Sequence, residues 1–375
     1  MRGHYEPRTR CPLTLMESMG FGRVICSHAE RDRQAMSQKW IYWFDELSSE
    51  HNDLVGKKCA NLGEMTKLGL RVPPGFAVSV DGYERFMEES GAGHEIRRYV
   101  HENRQGLNKV DKQIEAGRTI RELIESKSMP QAMRQDLVTH YAELCNRVET
   151  EEVSVAVRSS GAVSMPGQME TYLNVLGADD LVRKVIRVWG SAFTTRAIAF
   201  RLEQNMEMEK APIGVAVLKM VNAKCAGVCL TVLPTTGDTS KIIVEGNWGL
   251  GESVVSGEIT PDQFVVDKAL GDFQCVVGDK TKMVCYHHAG TRITDVPHDL
   301  RQKPCLDEAE LQEIVRVAKQ VEAHFDAPQD MEWVVDSDLG FPQNIFWVQT
   351  RQAKSVKKRD DAEYLAELMS RIFKM

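Results

Sequence analysis

The sequence predicts an α+β protein with two to three subdomains around a cleft, and three features predict it. Apolar residues recur at helical spacing, as at Leu181, Val185, Val188, Ala192 and Phe193. Short β-branched runs crowd the second half, separated by Gly and Pro turns. The chain has 375 residues, 42% of them hydrophobic, which is enough to bury one large core or several smaller ones.

In chain order the elements begin after an arm of different character. Residues 1–36 carry Arg2, Arg8, Arg10, Arg23, Arg31 and Arg33 among Pro, Gly and Ser, without the apolar core of a secretory signal. A disordered basic arm and a start-site extension ahead of Met36 are both open readings. Ala60, Leu62, Met65 and Leu68 mark an amphipathic helix that Gly69 caps and Pro73-Pro74 forbids from continuing. Residues 75–80 read as a strand, 83–151 as mostly helical, and 153–157 as an alternating strand whose end delivers Arg158. After the helix through Phe193, strands are expected at 215–218, 227–231, 241–245 and 263–267. A helix over 307–324 precedes strands around Glu332 and Val348. Tyr364, Leu365, Leu368 and Ile372 give residues 353–375 the spacing of an amphipathic helix that either covers its own domain or docks a partner. The expected lobes are 37–230 and 231–352.

Composition excludes several function classes. No run of about 18 apolar residues exists, so no helix is expected to span a membrane. A net charge of -7 argues against a nucleic-acid binder, which would show a basic surplus. The nine cysteines form no CxxC pair, which suits reduced thiols in a cytoplasmic protein rather than disulfides or a zinc site.

Four blocks carry the chemistry: Gly56-Lys57-Lys58-Cys59-Ala60-Asn61-Leu62, Ala156-Val157-Arg158-Ser159-Ser160-Gly161, Glu245-Gly246-Asn247-Trp248-Gly249-Leu250-Gly251-Glu252-Ser253 and Asp330-Met331-Glu332-Trp333. With Gln349 and Arg351 they resemble, in order, the N-terminal nucleotide-binding domain of the family that contains phosphoenolpyruvate synthase, pyruvate phosphate dikinase and rifampin phosphotransferase. The resemblance runs from about Leu54 to Arg351. It implies an ATP-grasp-type fold that holds ATP between two lobes.

ATP brings about four negative charges, so its site must supply cations, oriented N–H groups and a hard divalent metal on oxygen ligands. Lys58 sits in a turn before a helix, where an ammonium reaches phosphate beside the positive end of the dipole; its plain alternative is a solvated lysine next to Lys57. The family usually has Gly at Lys57 and Cys59, so the turn here is expected to be shaped differently. Arg158, beside small residues, can fork onto phosphate oxygens, against the alternative of a buried structural ion pair. The loop from Ser164 to Thr171 offers N–H groups to a triphosphate, and Gly167 and Thr171 match the family's nucleotide-contacting positions. Residues 245–257 pack glycine and carboxylate more densely than a core strand would choose, and read equally as a positioning loop for nucleotide and lobe closure or as a direct catalytic element.

Alternation places Asp330 and Glu332 on one face of a strand, and Gln349 and Arg351 on one face of the next. The resemblance implies that Glu332 and Gln349 bind Mg²⁺, that Asp330 orders the cleft, and that Arg351 contacts the phosphate chain. Where the family commonly carries Gln-Lys this chain has Leu218-Lys219, removing an adenine-facing amide worth roughly 0.5–1.5 kcal/mol. His287-His288 lacks the Thr-Ser-His context of a phospho-acceptor, and Cys225 and Cys229 read as strand packing.

The resemblance further implies an ATP-dependent phosphotransferase that works with a partner. Full-length relatives continue into a histidine-bearing mobile domain and an acceptor-binding domain. A chain of this extent looks most like the stand-alone ATP-binding subunit of phenylphosphate synthase, which phosphorylates a histidine on a separate subunit and, through it, an acceptor such as phenol. The alternatives are the nucleotide-binding part of a split phosphoenolpyruvate synthase and a non-catalytic nucleotide-sensing subunit.

Overall fold

The computed structural model describes residues 39–161, 170–204, 206–255, 259–287 and 290–353. Its strands are β1 (Ile41–Trp43), β2 (Gly75–Val78), β3 (Val155–Ser160), β4 (Thr171–Val175), β5 (Gly214–Lys219), β6 (Ala223–Leu230), β7 (Lys241–Trp248), β8 (Asp262–Asp267), β9 (Phe273–Val276), β10 (Lys282–Tyr286), β11 (Thr291–Asp295), β12 (Gln329–Asp336) and β13 (Ile345–Gln352). One sheet has the order β1-β2-β5-β3-β4, a second β13-β12-β6-β7-β8-β9, and β10 and β11 pair as a separate hairpin. The helices are α1 (Asn52–Lys67), α2 (Val80–Glu89), α3 (Ala92–Asn103), α4 (Val110–Glu125), α5 (Gln131–Arg147), α6 (Ala178–Ser191), α7 (Thr195–Glu203), α8 (Glu252–Val255), α9 (His298–Arg301) and α10 (Glu308–Phe325). The residues expected to form the N-terminal arm and the C-terminal amphipathic helix lie outside the described residues.

Period-two alternation splits the first sheet between two cores. Phe76, Val78, Val155, Val157, Val215 and Val217 point into a cluster with Phe86, Trp189 and Phe193 of the helical layer. Ala77, Ala156, Ala216 and Leu218 point the other way, into a cluster with Cys59, Leu62 and Met65 of α1 and Trp333 of the second sheet. Three alanines on that face let α1 approach closely. Each large apolar side chain buried this way contributes about 1.5–3 kcal/mol.

Helix α1 ends as its sequence signals. Gly69 takes φ 74°, its N–H reaches Thr66 O at 3.0 Å, and Leu70 N reaches Met65 O at 3.1 Å, the paired bonds of a Schellman cap. The helix over 307–324 is present as α10, with Asp307 capping it through the backbone N–H of Glu310 at 2.8 Å.

Three expectations need correction. The strand beginning at Gly75 stops at Val78, because Ser79 instead caps α2 through the N–H of Gly82 at 3.3 Å. Strand β3 does not end before Arg158 but runs on to Ser160, since its pairing with β5 continues to the Ser160–Gly214 pair. The glycine-rich block is not a loop in its first part: Glu245, Gly246, Asn247 and Trp248 belong to β7. There Gly246 faces Gly227 of β6, and the Trp333 indole lies over the pair, so that a Cβ on Gly246 would come within 2.8 Å of it. The glycines make room for a ring, which is a tertiary demand that spacing alone does not reveal. Residues 256–258 lie outside the described residues.

Candidate functional site

The two sheets and the β10–β11 hairpin enclose a cleft of about 750 Å³. Its walls are mostly apolar, with Ala156, Leu173, Leu218, Leu250, Val334 and Val348 among them. Arg158, Thr171 and Glu332 supply charge and polarity. An apolar pocket with a few convergent polar groups is the usual form of a small-molecule site.

Arg158 joins the sheets. From β3 its Nη1 donates to Val348 O at 3.0 Å, and its Nη2 donates to Glu332 Oε2 at 2.8 Å and Gln349 Oε1 at 3.3 Å. The local backbone explains the reach. Glu332 pairs with Gln349 but Trp333 pairs with Trp347, so Val348 is bulged out of the β12–β13 ladder. The Nε of Arg158 is buried with no partner among the described residues. A buried donor left unmade costs about 1–3 kcal/mol, and a ligand acceptor would relieve it.

Glu332 also accepts from Gln349 Nε2 at 2.7 Å. Burial alone would raise its carboxyl, but the Arg158 guanidinium and its hydrogen bond, with Lys58 and Arg351 nearby, hold it below the ordinary value. One step along the ladder Asp330 faces Arg351, with Arg351 Nε 2.8 Å from Asp330 Oδ2. The expected facing of Asp330 and Glu332 against Gln349 and Arg351 is thus present in the register.

Lys58 comes from α1. Gly56 takes φ 77° and breaks the helical path there, so that regular helix starts immediately before Lys58. No larger residue fits, since a Cβ at Gly56 would collide with the Ser160 carbonyl. The new N-terminus is tied to the end of β3, with Lys57 N to Gly161 O at 3.0 Å and Cys59 N to Ser160 Oγ at 3.1 Å. Among the described residues no carboxylate pairs with Lys58. Its ammonium is pushed down to about 8, first by burial and then by Arg158.

The structure therefore gathers Lys58, Arg158, Glu332 and Gln349, with the Asp330–Arg351 pair beside them and Thr171 opposite Arg158 in the β3–β4 register. Gly167 lies outside the described residues. Leu218 is buried, lines the cleft and faces Ala156 across the β3–β5 pair, so no amide projects there. Cys225 and Cys229 are buried on β6, and no cluster of three or more His, Cys, Asp or Glu that could hold a metal occurs among the described residues. No described helix is long and apolar enough to cross a membrane.

Sequence reasoning missed the hairpin, from which Thr291, Arg292 and Ile293 line the cleft. Neither of its strands alternates in sequence, and only Gly290 between the two short runs hinted at a turn. It also left unassigned Met220 and Val221, which line the cleft just beyond β5, where Tyr286 Oη donates to Val221 O.

A family model described as the pyruvate phosphate dikinase AMP/ATP-binding domain matches residues 52–371. The chain is 38% identical over 366 residues to a probable phosphoenolpyruvate synthase of Staphylothermus marinus, covering 88% of this chain and 43% of that protein. It is 37% identical over 361 residues to the phosphoenolpyruvate synthase of Aeropyrum pernix, covering 88% and 44%. To a probable phosphoenolpyruvate synthase of Methanocaldococcus jannaschii it is 36% identical over 330 residues, covering 86% and 27%. The chain spans less than half the length of these relatives.

Proposed function

Because this chain belongs to the pyruvate phosphate dikinase AMP/ATP-binding domain family, we propose that it is the ATP-grasp-type nucleotide-binding part of a dikinase of the phosphoenolpyruvate synthase type. It binds Mg-ATP in the cleft between the two sheets, the second of which already includes β6 (Ala223–Leu230) and so begins before the expected boundary at 230, and passes a phosphoryl group to a histidine on another domain or polypeptide. That histidine forwards it to pyruvate, so that ATP, water and acceptor give AMP, inorganic phosphate and the phosphorylated acceptor. The similar proteins bear the name phosphoenolpyruvate synthase. This supports the reading held second in the sequence analysis better than phenol as acceptor.

The observation that carries the proposal is the bridge that Arg158 makes from one sheet to Glu332 and Gln349 of the other, in a mostly apolar cleft. A purine fits between the apolar walls, and the phosphates then meet Arg158, Lys58 and Arg351. Lys58 has no carboxylate of its own to release, and the idle Nε of Arg158 gives a phosphate oxygen a further donor. Thr171 and Gly167 are assigned to the phosphate-covering segment. Asp330 orients Arg351 through their ion pair. Loss of one preorganised cationic contact of this kind costs about 10²–10³ in rate.

The donor set fits Mg²⁺. Glu332 and Gln349 offer a carboxylate and an amide from adjacent strands, both able to present hard oxygens, and Mg²⁺ takes few protein oxygens. These two residues would hold the ion, which screens the charge of the phosphate chain.

Equilibrium binding of Mg-ATP to the purified chain tests the proposal. Arg158→Met should weaken binding at least about tenfold. Wild-type protein that binds no nucleotide, or an Arg158→Met variant that binds as well, would overturn it.

A further inference from the structure

We propose that Asn61 is a positioning residue that sets the spacing between the phosphate-facing groups of the two lobes; this rests on the nucleotide reading above. Asparagine is a poor choice inside a helix, because its side chain competes for backbone hydrogen bonds. Here it is only 7% exposed, in the second turn of regular helix in α1, among Ala60, Leu62 and other core residues. Its placement needs a tertiary reason, and the structure supplies one. Asn61 Nδ2 donates to the backbone carbonyl of Thr350 at 2.7 Å, across 289 positions of sequence.

Thr350 lies between Gln349 and Arg351 on β13, the edge strand of the second sheet. An edge strand leaves backbone groups without a ladder partner. The first lobe meets those of β13: Trp347 N donates to Arg71 O at 2.8 Å, Val348 O accepts from Arg158, and Thr350 O accepts from Asn61. Helix α1 is therefore pinned twice within two turns. Its N-terminus is held to the end of β3 through Gly161 O and Ser160 Oγ, and Asn61 holds it to β13. Lys58 sits within the first pin, flanked by Lys57 and Cys59 and three residues before Asn61. The Asn61 bond thus fixes how far the Lys58 ammonium stands from Arg351 and Gln349, without Asn61 touching a nucleotide.

AMP presents only its α-phosphate, whereas ATP spans the groups that the pin holds apart. Loosening the pin should therefore cost ATP more than AMP, a split that simple loss of stability would not produce. Affinities for ATP and AMP are measured with Mg²⁺ on wild type, Asn61→Leu and Thr350→Val. The last removes the Thr350 Oγ1 bond to Gln329 Oε1 (3.0 Å) but leaves the Thr350 carbonyl in place. The expectation is an ATP-to-AMP affinity ratio at least about tenfold lower in Asn61→Leu, with Thr350→Val keeping the wild-type ratio even if it melts earlier. If Asn61→Leu does not fold, Asn61→Ser, whose hydroxyl is too short to reach Thr350 O, is read in its place. An unchanged ratio in the Asn61 variant, or an equal fall in Thr350→Val, would overturn the inference and leave the nucleotide site standing. A wild-type protein that binds neither ATP nor AMP would instead overturn the reading on which the inference rests.

Discussion

If the phosphates of ATP sit beside Lys58 as proposed, their binding is a proton-coupled event. In the free protein its ammonium is depressed to about 8, by burial and then by Arg158, with Glu332 pulling the other way. Phosphates arriving beside it reverse that balance and restore a value near or above the ordinary one for lysine. At pH 9 a group with a pKa of 8 is about 10% protonated and one near 10.5 is about 97% protonated, so binding should take up roughly 0.9 proton. Cys59 next to it does not interfere, because burial pushes its thiol up to about 12. The assay is calorimetric titration of Mg-ATP at pH 9 in buffers of different ionisation enthalpy, where the slope gives the number of protons. The slope should disappear in Lys58→Met, and in Lys58→Arg, which keeps the charge but does not titrate there. A zero slope for wild type, or a full slope in Lys58→Met, would refute the reasoning. The sign for stability follows from the same shift. Without nucleotide the unfolded chain holds this proton up to about 10.5 and the folded chain only to about 8, so the Lys58 contribution to stability rises between those pH values.

Other perturbations have equally definite outcomes. Glu332→Gln removes the carboxylate facing Arg158 and should both cost about 2–3 kcal/mol in urea unfolding and flatten the Mg²⁺ dependence of ATP affinity; an unchanged Mg²⁺ dependence would remove Glu332 from the metal assignment. Gly56→Ala forces a Cβ into the Ser160 carbonyl at φ 77° and should destabilise by about 3 kcal/mol or more, read from denaturant midpoints. Lys280 and Asp262 form a fully buried ion pair, and the carboxylate also accepts from Gly278 N at 2.9 Å and Cys305 N at 2.7 Å. Lys280→Met leaves that charge unpaired and should cost about 3–5 kcal/mol, again read by urea unfolding.

Much of the candidate site was legible because its residues obey local periods. Asp330 and Glu332 alternate on one strand and Gln349 and Arg351 on the next, and the register brings the two pairs together. The α1 cap at Gly69 was equally local. What escaped was set by distant partners. The glycines of β7 look like a loop until Trp333, on a strand some 90 positions later, is seen lying over them. The reach of Arg158 depends on a bulge at Val348, and Asn61 looks like one more helix residue until its carbonyl partner is known. The helix N-terminus at Lys58 was read from the sequence, but the break at Gly56 that produces it inside α1 is visible only as a backbone angle.

If the chain energises a phosphoryl group for a histidine elsewhere, as proposed, label from ATP must reach that histidine. The most direct measurement adds ATP labelled at the β-phosphate to an extract of the source cells, with and without the purified chain, and looks for an acid-labile, base-stable phosphoprotein. Label that depends on the chain and is lost with Arg158→Met is the expected result. Tight ATP binding with no labelled protein would contradict it and mark the chain as a nucleotide sensor.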